Sequence, residues 1–113
     1  MHLEELRTYL LAKPNAGMEM PFGIHVLIFK VERAMFARVA WQENPLRITL
    51  RCDPQRALLL RGLYTAVQPG QHMNRRQWIT VLLDGSIARS DVRTMIDESY
   101  DLVTAGAVAP PSR

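Results

Sequence analysis

Hydrophobic residues recur at helical spacing in three separate stretches of this chain, which predicts three amphipathic helices. The first covers residues 3–12, where leucines return to the same side of the helix. The second is expected to begin at Asp53, a capping residue followed by proline, and to end at Gly62. The third begins at Ser90 and ends at Gly106, with a core stripe of Val92, Met95, Ile96, Ser99 and Val103.

Between these helices, apolar and polar residues alternate with the period of a β-strand. The clearest alternation places Leu46, Ile48 and Leu50 against Arg47 and Thr49. The turns between the first three strands are short enough for hairpins, so these strands are expected to be antiparallel neighbours. The five predicted strands cover residues 25–31, 35–41, 46–52, 64–67 and 76–83.

The predicted order of elements is α-β-β-β-α-β-β-α. Runs of neighbouring strands with few helices favour an α+β two-layer sandwich, an antiparallel sheet of about five strands with the helices on one face. The length of 113 residues fits one domain. We expect that domain over residues 1–106 and a flexible C-terminal tail over residues 107–113, where two prolines follow one another.

The strand period also sorts side chains between a core face and an outer face that no helix covers. In the second strand, Met35 falls on the core face and Phe36 on the outer face. In the last strand, Ile79 falls on the core face and Trp78 on the outer face. The outer face is predicted to lack acidic residues and to carry the cations Lys30, Arg38, Arg47, Arg51 and Arg76.

A basic sheet face with exposed aromatic rings favours contact with nucleic acid. Phosphates would bind the cations and bases would stack on Trp78. The formal net charge of +3 agrees with this interpretation, although the excess is modest. Two other interpretations stay open. The arginines of a solvated sheet face could simply discourage association, or the face could form a homodimer interface anchored by Trp78 and Phe36.

Residue types that carry catalysis or bind metals are scattered along the chain. Cys52 has no second cysteine, and the histidines do not fall at metal-ligand spacing, so no metal, cofactor or catalytic residue is expected. His72 is interpreted either as a phosphate-contacting group or as a residue that stabilises its turn. A cleft for a small ligand would be formed by His72, Asn74, Trp78 and Tyr100.

Cysteine usage and hydropathy predict the compartment. A single cysteine excludes an internal disulfide, which is typical of a reducing cytoplasm. Glu4 and Glu5 stand where a signal peptide would carry basic residues. The longest apolar run is shorter than the ~18 residues that a membrane span requires, so no membrane association is expected.

Several stretches together resemble the signature of the MmcQ/YjbR family of small bacterial proteins. They are PFG at 21–23, MFA at 35–37, LRCDP at 50–54, PGQHMNRRQWITVLLDGS at 69–86 and MIDESYDLV at 95–103. The resemblance covers nearly the whole chain and implies a two-layer α+β fold, similar to type III secretion chaperones and to frataxin. It also implies DNA binding, with Arg75, Arg76 and Trp78 as contact residues. Gln77 departs from the family, which commonly has a histidine before the tryptophan.

The leading prediction is a non-enzymatic, cytoplasmic DNA-binding protein with weak sequence preference, because phosphate contacts position a protein without reading bases. The predicted contact residues are Lys30, Arg38, Arg47, Arg51, Arg75, Arg76 and Trp78. The alternative is a protein-interaction or chaperone-like module that uses the same face for self-association or for another chain. A third alternative is a small-ligand binder of unknown specificity.

Overall fold

The computed structural model describes residues 1–21, 25–70 and 73–108 of the chain. Helices and strands follow one another in the order α1 Leu3–Leu11, β1 Ala16–Glu19, β2 Leu27–Val31, β3 Ala34–Ala40, β4 Arg47–Arg51, α2 Pro54–Leu63, β5 Val67–Pro69, β6 Trp78–Leu82 and α3 Arg89–Val108.

The strands form one antiparallel sheet of six strands in the order β1-β2-β3-β4-β6-β5. The predicted α+β class is therefore confirmed. The predicted order lacked β1, a segment that sequence analysis assigned to a loop. The sequence Ala-Gly-Met-Glu has no β-branched residue, so β1 carries little strand propensity of its own and is held by its pairing with β2.

All the helices described contribute side chains to one hydrophobic core on one face of the sheet. Leu10 of α1, Leu60 of α2 and Ile96 of α3 belong to the same buried cluster as Val39 of β3 and Ile48 of β4. Helix α2 begins as predicted, because the Asp53 carboxylate accepts hydrogen bonds from the backbone N–H groups at the first turn. It passes Gly62 and ends at Leu63, one residue beyond the predicted stop.

A shift in register between β2 and β3 changes which residues of β3 face the core. Phe29 pairs with Ala37, but the next residue, Lys30, pairs with Met35, so Phe36 is an extra residue in β3. The prediction that Phe36 lies outside and Met35 inside was wrong. Phe36 is fully buried, and Met35 lies opposite Lys30 on the outer side. Strict alternation fails here because the bulge places Phe36 and Ala37, both fully buried, next to each other.

Ser99 of α3 supplies hydrogen bonds at the bulge. Its Oγ donates to the carbonyl oxygen of Phe36 at 2.6 Å and accepts from the backbone N–H of Arg51 at 2.9 Å. The regular pairing of β3 with β4 stops at Ala37 and Leu50, so these two backbone groups lie just beyond the ladder. The fully buried hydroxyl therefore satisfies main-chain groups that the bulge leaves without strand partners.

Candidate nucleic-acid interface

The centre of the outer face is occupied by three arginines from the two middle strands. Arg38 of β3 pairs with Thr49 of β4, and Arg47 and Arg51 are the next outward residues on either side of Thr49. Directly opposite side chains in an antiparallel pair have Cβ atoms about 5 Å apart, and diagonal neighbours about 7–8 Å. The sheet therefore holds the three arginine side chains in one group, and we call these residues the arginine triad.

The triad has little compensation from acidic groups. Among the residues that the structure describes, Arg38 and Arg51 have no carboxylate oxygen within 4.0 Å, and Arg47 Nε lies 4.0 Å from Glu43 Oε1. The same Arg47 Nε is buried and makes no hydrogen bond. All three arginines are half-buried, so their stems lie along the sheet while charge remains at the surface.

Lys30 lies at the edge of this face and is neutralised. Its Nζ is 3.2 Å from Glu19 Oε1 of β1, the strand that sequence analysis missed. The prediction that the outer face carries no acid was therefore wrong, because β1 brings a carboxylate beside β2. An exposed pair of this kind contributes little stability, but it lowers the local positive potential around Lys30.

Trp78 lies beside Arg51 on the outer face, but it is only 8% exposed. The prediction of an exposed tryptophan was therefore wrong. The Arg51 guanidinium carbon lies 5.8 Å from the centre of the Trp78 ring system, at cation–π distance. The backbone of Gly70 approaches so closely that a Cβ atom there would lie 2.5 Å from the Trp78 Cβ, and Gly70 N–H donates to the Trp78 carbonyl at 2.9 Å. The small exposed fraction of Trp78 leaves little ring area available for stacking on a base.

Two threonines lie on the outer face between the triad and Trp78. Thr49 and Thr80 pair across β4 and β6, their hydroxyl oxygens are 2.8 Å apart, and each residue is 2% exposed. Sequence analysis placed Thr49 opposite the core residues of its strand, which the register confirms, but did not foresee its burial. The burial of both threonines shows that the outer face is closely filled at this point even without a covering helix.

The predicted contact residues Arg75 and Arg76 lie apart from the triad, in the turn before β6. The Asn74 Oδ1 atom accepts a hydrogen bond from the Arg76 backbone N–H at 2.9 Å, and Arg61 Nη1 of α2 donates to the Arg75 carbonyl at 3.3 Å. Sequence analysis missed Arg61, because nothing in the spacing relates a residue of α2 to a turn fourteen positions later. The predicted set of cations is thus divided between two places.

The structure does not bring the predicted small-ligand cleft together. His72 lies outside the described residues, and Asn74 serves the turn. Tyr100 belongs to the helix layer, where its ring meets Phe36 edge-on at 5.3 Å and its hydroxyl donates to the Pro14 carbonyl. Trp78 lies on the other side of the sheet, so the sheet itself separates it from Tyr100.

The described residues provide no cluster of metal ligands, and burial deactivates the one thiol. Within residues 1–21, 25–70 and 73–108, no group of three or more His, Cys, Asp or Glu residues is placed to hold a metal ion. Burial raises the pKa of the Cys52 thiol to about 11, which keeps it protonated at neutral pH. In the same part of the chain, none of the helices combines the length and apolar character needed to cross a membrane.

Comparison with known proteins assigns the family. The YjbR family model matches residues 11–102, which is most of the chain. The protein belongs to the YjbR family. The predicted relationship is thereby confirmed, and it covers the arginine triad, the turn before β6 and most of α3.

Two relatives from Escherichia coli share much of the sequence. YjbR of strain K12 is 37% identical over 100 residues, which are 88% of this chain and 85% of that protein. YbdF of strain O157:H7 is 31% identical over 103 residues, which are 91% of this chain and 84% of that protein. Each match covers more than four fifths of the relative's length.

Solved structures share the fold of this YjbR-family protein. The crystal structure of Deinococcus radiodurans protein DR2400 superposes with a TM-score of 0.91 at 31% identity, over 99% of this chain and 85% of that one. The crystal structure of a Pseudomonas syringae protein has a TM-score of 0.78 at 22% identity, over 90% of this chain and 98% of that one, and it supports the fold alone.

Proposed function

We propose that this protein binds DNA without catalysis, through the outer face of its sheet. The observation that carries the proposal is the arginine triad, three guanidinium groups in one place with a single carboxylate at the 4.0 Å limit among the described residues. Guanidinium groups bind phosphate oxygens through paired hydrogen bonds. A phosphate backbone would supply the negative charge that the protein does not place there.

The size of the triad suits a short stretch of backbone better than a single small anion. Arg47 and Arg51 stand four residues apart on β4, which is about 13 Å along a strand. Arg38 projects from the neighbouring strand near the middle of that distance. Phosphates that follow one another along a DNA strand would meet these side chains in turn.

The same geometry predicts weak sequence preference. Trp78 is too deeply buried to act as the stacking platform that sequence analysis expected. The shielded hydroxyl groups of Thr49 and Thr80 bond to each other and are remote from base edges. Contacts to phosphates alone position a protein on DNA without reading its sequence.

The triad also weighs against self-association through this face. A symmetric dimer that stacked two outer faces would bring the triad of one copy against that of the other. Like charges at an interface are costly unless they are paired. The alternative of a homodimer on this face is therefore weaker than that of a polyanionic partner.

Fluorescence anisotropy of labelled single- and double-stranded DNA tests the proposal. We expect binding that weakens as salt rises from about 50 to 200 mM, because each neutralised phosphate releases counterions. Removing one phosphate contact with Arg38→Gln is expected to weaken binding and to reduce the slope of log K against log salt by about 1.

Arg89→Gln is the matched control for this experiment. It removes the same charge, but from the helix side, where Arg89 Nε lies 2.7 Å from Glu5 Oε2. Equal loss of affinity in Arg38→Gln and Arg89→Gln would mean that only net charge matters and that the outer face is no binding site. Affinity that does not respond to salt would contradict the proposal altogether.

A further inference from the structure

A cavity of about 320 Å³ lies between α2 and the turn before β6, and no member of the arginine triad lines it. Its wall in α2 is mostly apolar and is formed by Pro54, Ala57 and Leu58, together with Gln55. Its cationic residues are Arg61 of α2 and the turn residues Arg75 and Arg76. The volume falls at the lower end of the range found for small-molecule sites.

The three arginines at this cavity are uncompensated. Among the described residues, none of them has a carboxylate oxygen within 4.0 Å. Asp53, the acid nearest to Arg61 in the sequence, is engaged in capping α2, where it accepts from the backbone of Gln55 and Arg56. Like charges that share a cavity repel one another, and a bound anion would relieve that repulsion.

The turn that carries two of the arginines is held in place by several hydrogen bonds. Arg61 Nη1 reaches the Arg75 carbonyl at 3.3 Å, which ties the turn to α2. The Asn74 side chain closes the turn on the Arg76 N–H at 2.9 Å, and the Gln77 carbonyl accepts from the Cys52 N–H at 2.8 Å. A site that is organised before binding loses less conformational freedom when the ligand arrives.

One apolar side chain in the wall of the cavity is largely exposed to solvent. Leu58 is 64% exposed, although it stands beside Ala57, which is 1% exposed and belongs to the core. A charged molecule without an apolar part, such as inorganic phosphate, would leave this wall in contact with water. A molecule with a flat apolar body would cover it and gain from burial of both surfaces.

We propose that this cavity binds a small organic anion that has one acidic group on an apolar body. The acidic group lies against the guanidinium groups of Arg61, Arg75 and Arg76, and the apolar body lies on the exposed side chains of Leu58 and Pro54. This site does not depend on DNA binding, because it uses no member of the arginine triad and is formed by α2 and its neighbouring turn.

An NMR titration with 1-naphthalenesulfonate tests the proposal, with 1-naphthalenemethanol as the uncharged probe of similar shape. The sulfonate is expected to shift the amide signals of Ala57, Leu58, Arg75 and Arg76 with one saturable curve. The uncharged probe is expected to bind at least about tenfold more weakly, because a charge-assisted hydrogen bond is lost.

Two variants locate the acidic group. Arg75→Gln and Arg61→Gln are each expected to weaken sulfonate binding about tenfold and to keep the thermal unfolding transition. Arg38→Gln is expected to leave sulfonate binding unchanged, and Leu58→Asn to weaken both probes. DNA binding is expected to weaken in Arg38→Gln and to stay unchanged in Arg61→Gln and Arg75→Gln. Failure of one proposal is therefore distinguishable from failure of the other.

Three outcomes would overturn this inference. Equal affinity for the charged and uncharged probes would show that the surface binds apolar groups without recognising the charge. Shifts that lie elsewhere than on α2 and the turn would show a different site. A titration that stays linear up to about 1 mM sulfonate would show that no site of useful affinity exists.

Discussion

The two faces of the sheet differ in the kind of substitution to which they are sensitive. On the face covered by helices, volume decides which residues fit, and the residues at its centre, such as Val39, Ile48 and Val81, are fully buried. On the outer face, half-buried arginines lie beside a buried pair of threonines. The covered face therefore tolerates little change in shape, whereas the half-buried arginine positions of the outer face are sensitive to change in charge.

The largest expected effect is on the covered face, at the bulge. Phe36→Ala should lower the free energy of unfolding by about 3–5 kcal/mol, because it empties a fully buried site that also contacts the ring of Tyr100. Its neighbour Met35 lies on the outer side, so Met35→Ala should cost less than about 1 kcal/mol. Chemical denaturation of both variants measures the difference, and equal costs would contradict the assigned bulge.

The next effect concerns the hydrogen bonds that fasten α3 to the sheet. Ser99→Ala should cost about 2–3 kcal/mol, because it leaves the Phe36 carbonyl and the Arg51 N–H without the partner they have in the native fold. Hydrogen exchange at the Arg51 amide should accelerate in the same variant. A cost near zero would mean that water replaces the hydroxyl without loss.

A smaller effect on the covered face depends on pH. Burial raises the pKa of Cys52 from 9.0 to about 11, so the folded state disfavours the thiolate. The stabilising contribution is complete below pH 9 and is lost as pH rises toward 11. We expect the wild type to lose roughly 1–2 kcal/mol more than Cys52→Ala over this interval.

Tyrosine titration provides the background for that comparison. The pKa of Tyr9 is also raised, by burial and by its hydrogen bond to Asp97, so both proteins lose stability in alkali. Only the difference between wild type and Cys52→Ala reports the thiol. Identical pH profiles in urea denaturation would contradict the burial of the thiol group.

The smallest expected effect on stability is at the centre of the outer face. Arg38→Gln should change the free energy of unfolding by less than about 0.5 kcal/mol, because Arg38 is half-buried and has no ion pair among the described residues. The same variant should lose DNA affinity. A large loss of stability would instead mean that the residue is retained for folding.

Local patterns predicted most of the covered face, and tertiary contacts account for the failures. Ile48 and Leu50 alternate regularly and are buried as predicted. Phe36 was misplaced because a bulge depends on pairing between strands, which periodicity within one strand does not contain. Trp78 was assigned to the right face, but its burial comes from packing between elements, which alternation within one strand does not contain.

Sequence analysis predicted some parts of the candidate sites and missed others. The members of the triad follow from alternation in β3 and β4, so the sequence places them together. The neutralisation of Lys30 follows from β1, whose residues carry too little strand propensity to be recognised. The cavity beside α2 joins a helix and a turn, and only the folded chain brings Arg61 to Arg75.

The measurement that tests the central claim most directly is an NMR titration of the labelled protein with a short DNA duplex. The account predicts that the largest amide shifts fall at Arg38, Arg47, Thr49 and Arg51, and that they fade as salt is raised. Shifts confined to the helix layer, or no shifts at low salt, would contradict the assignment of the outer face as the DNA-binding surface.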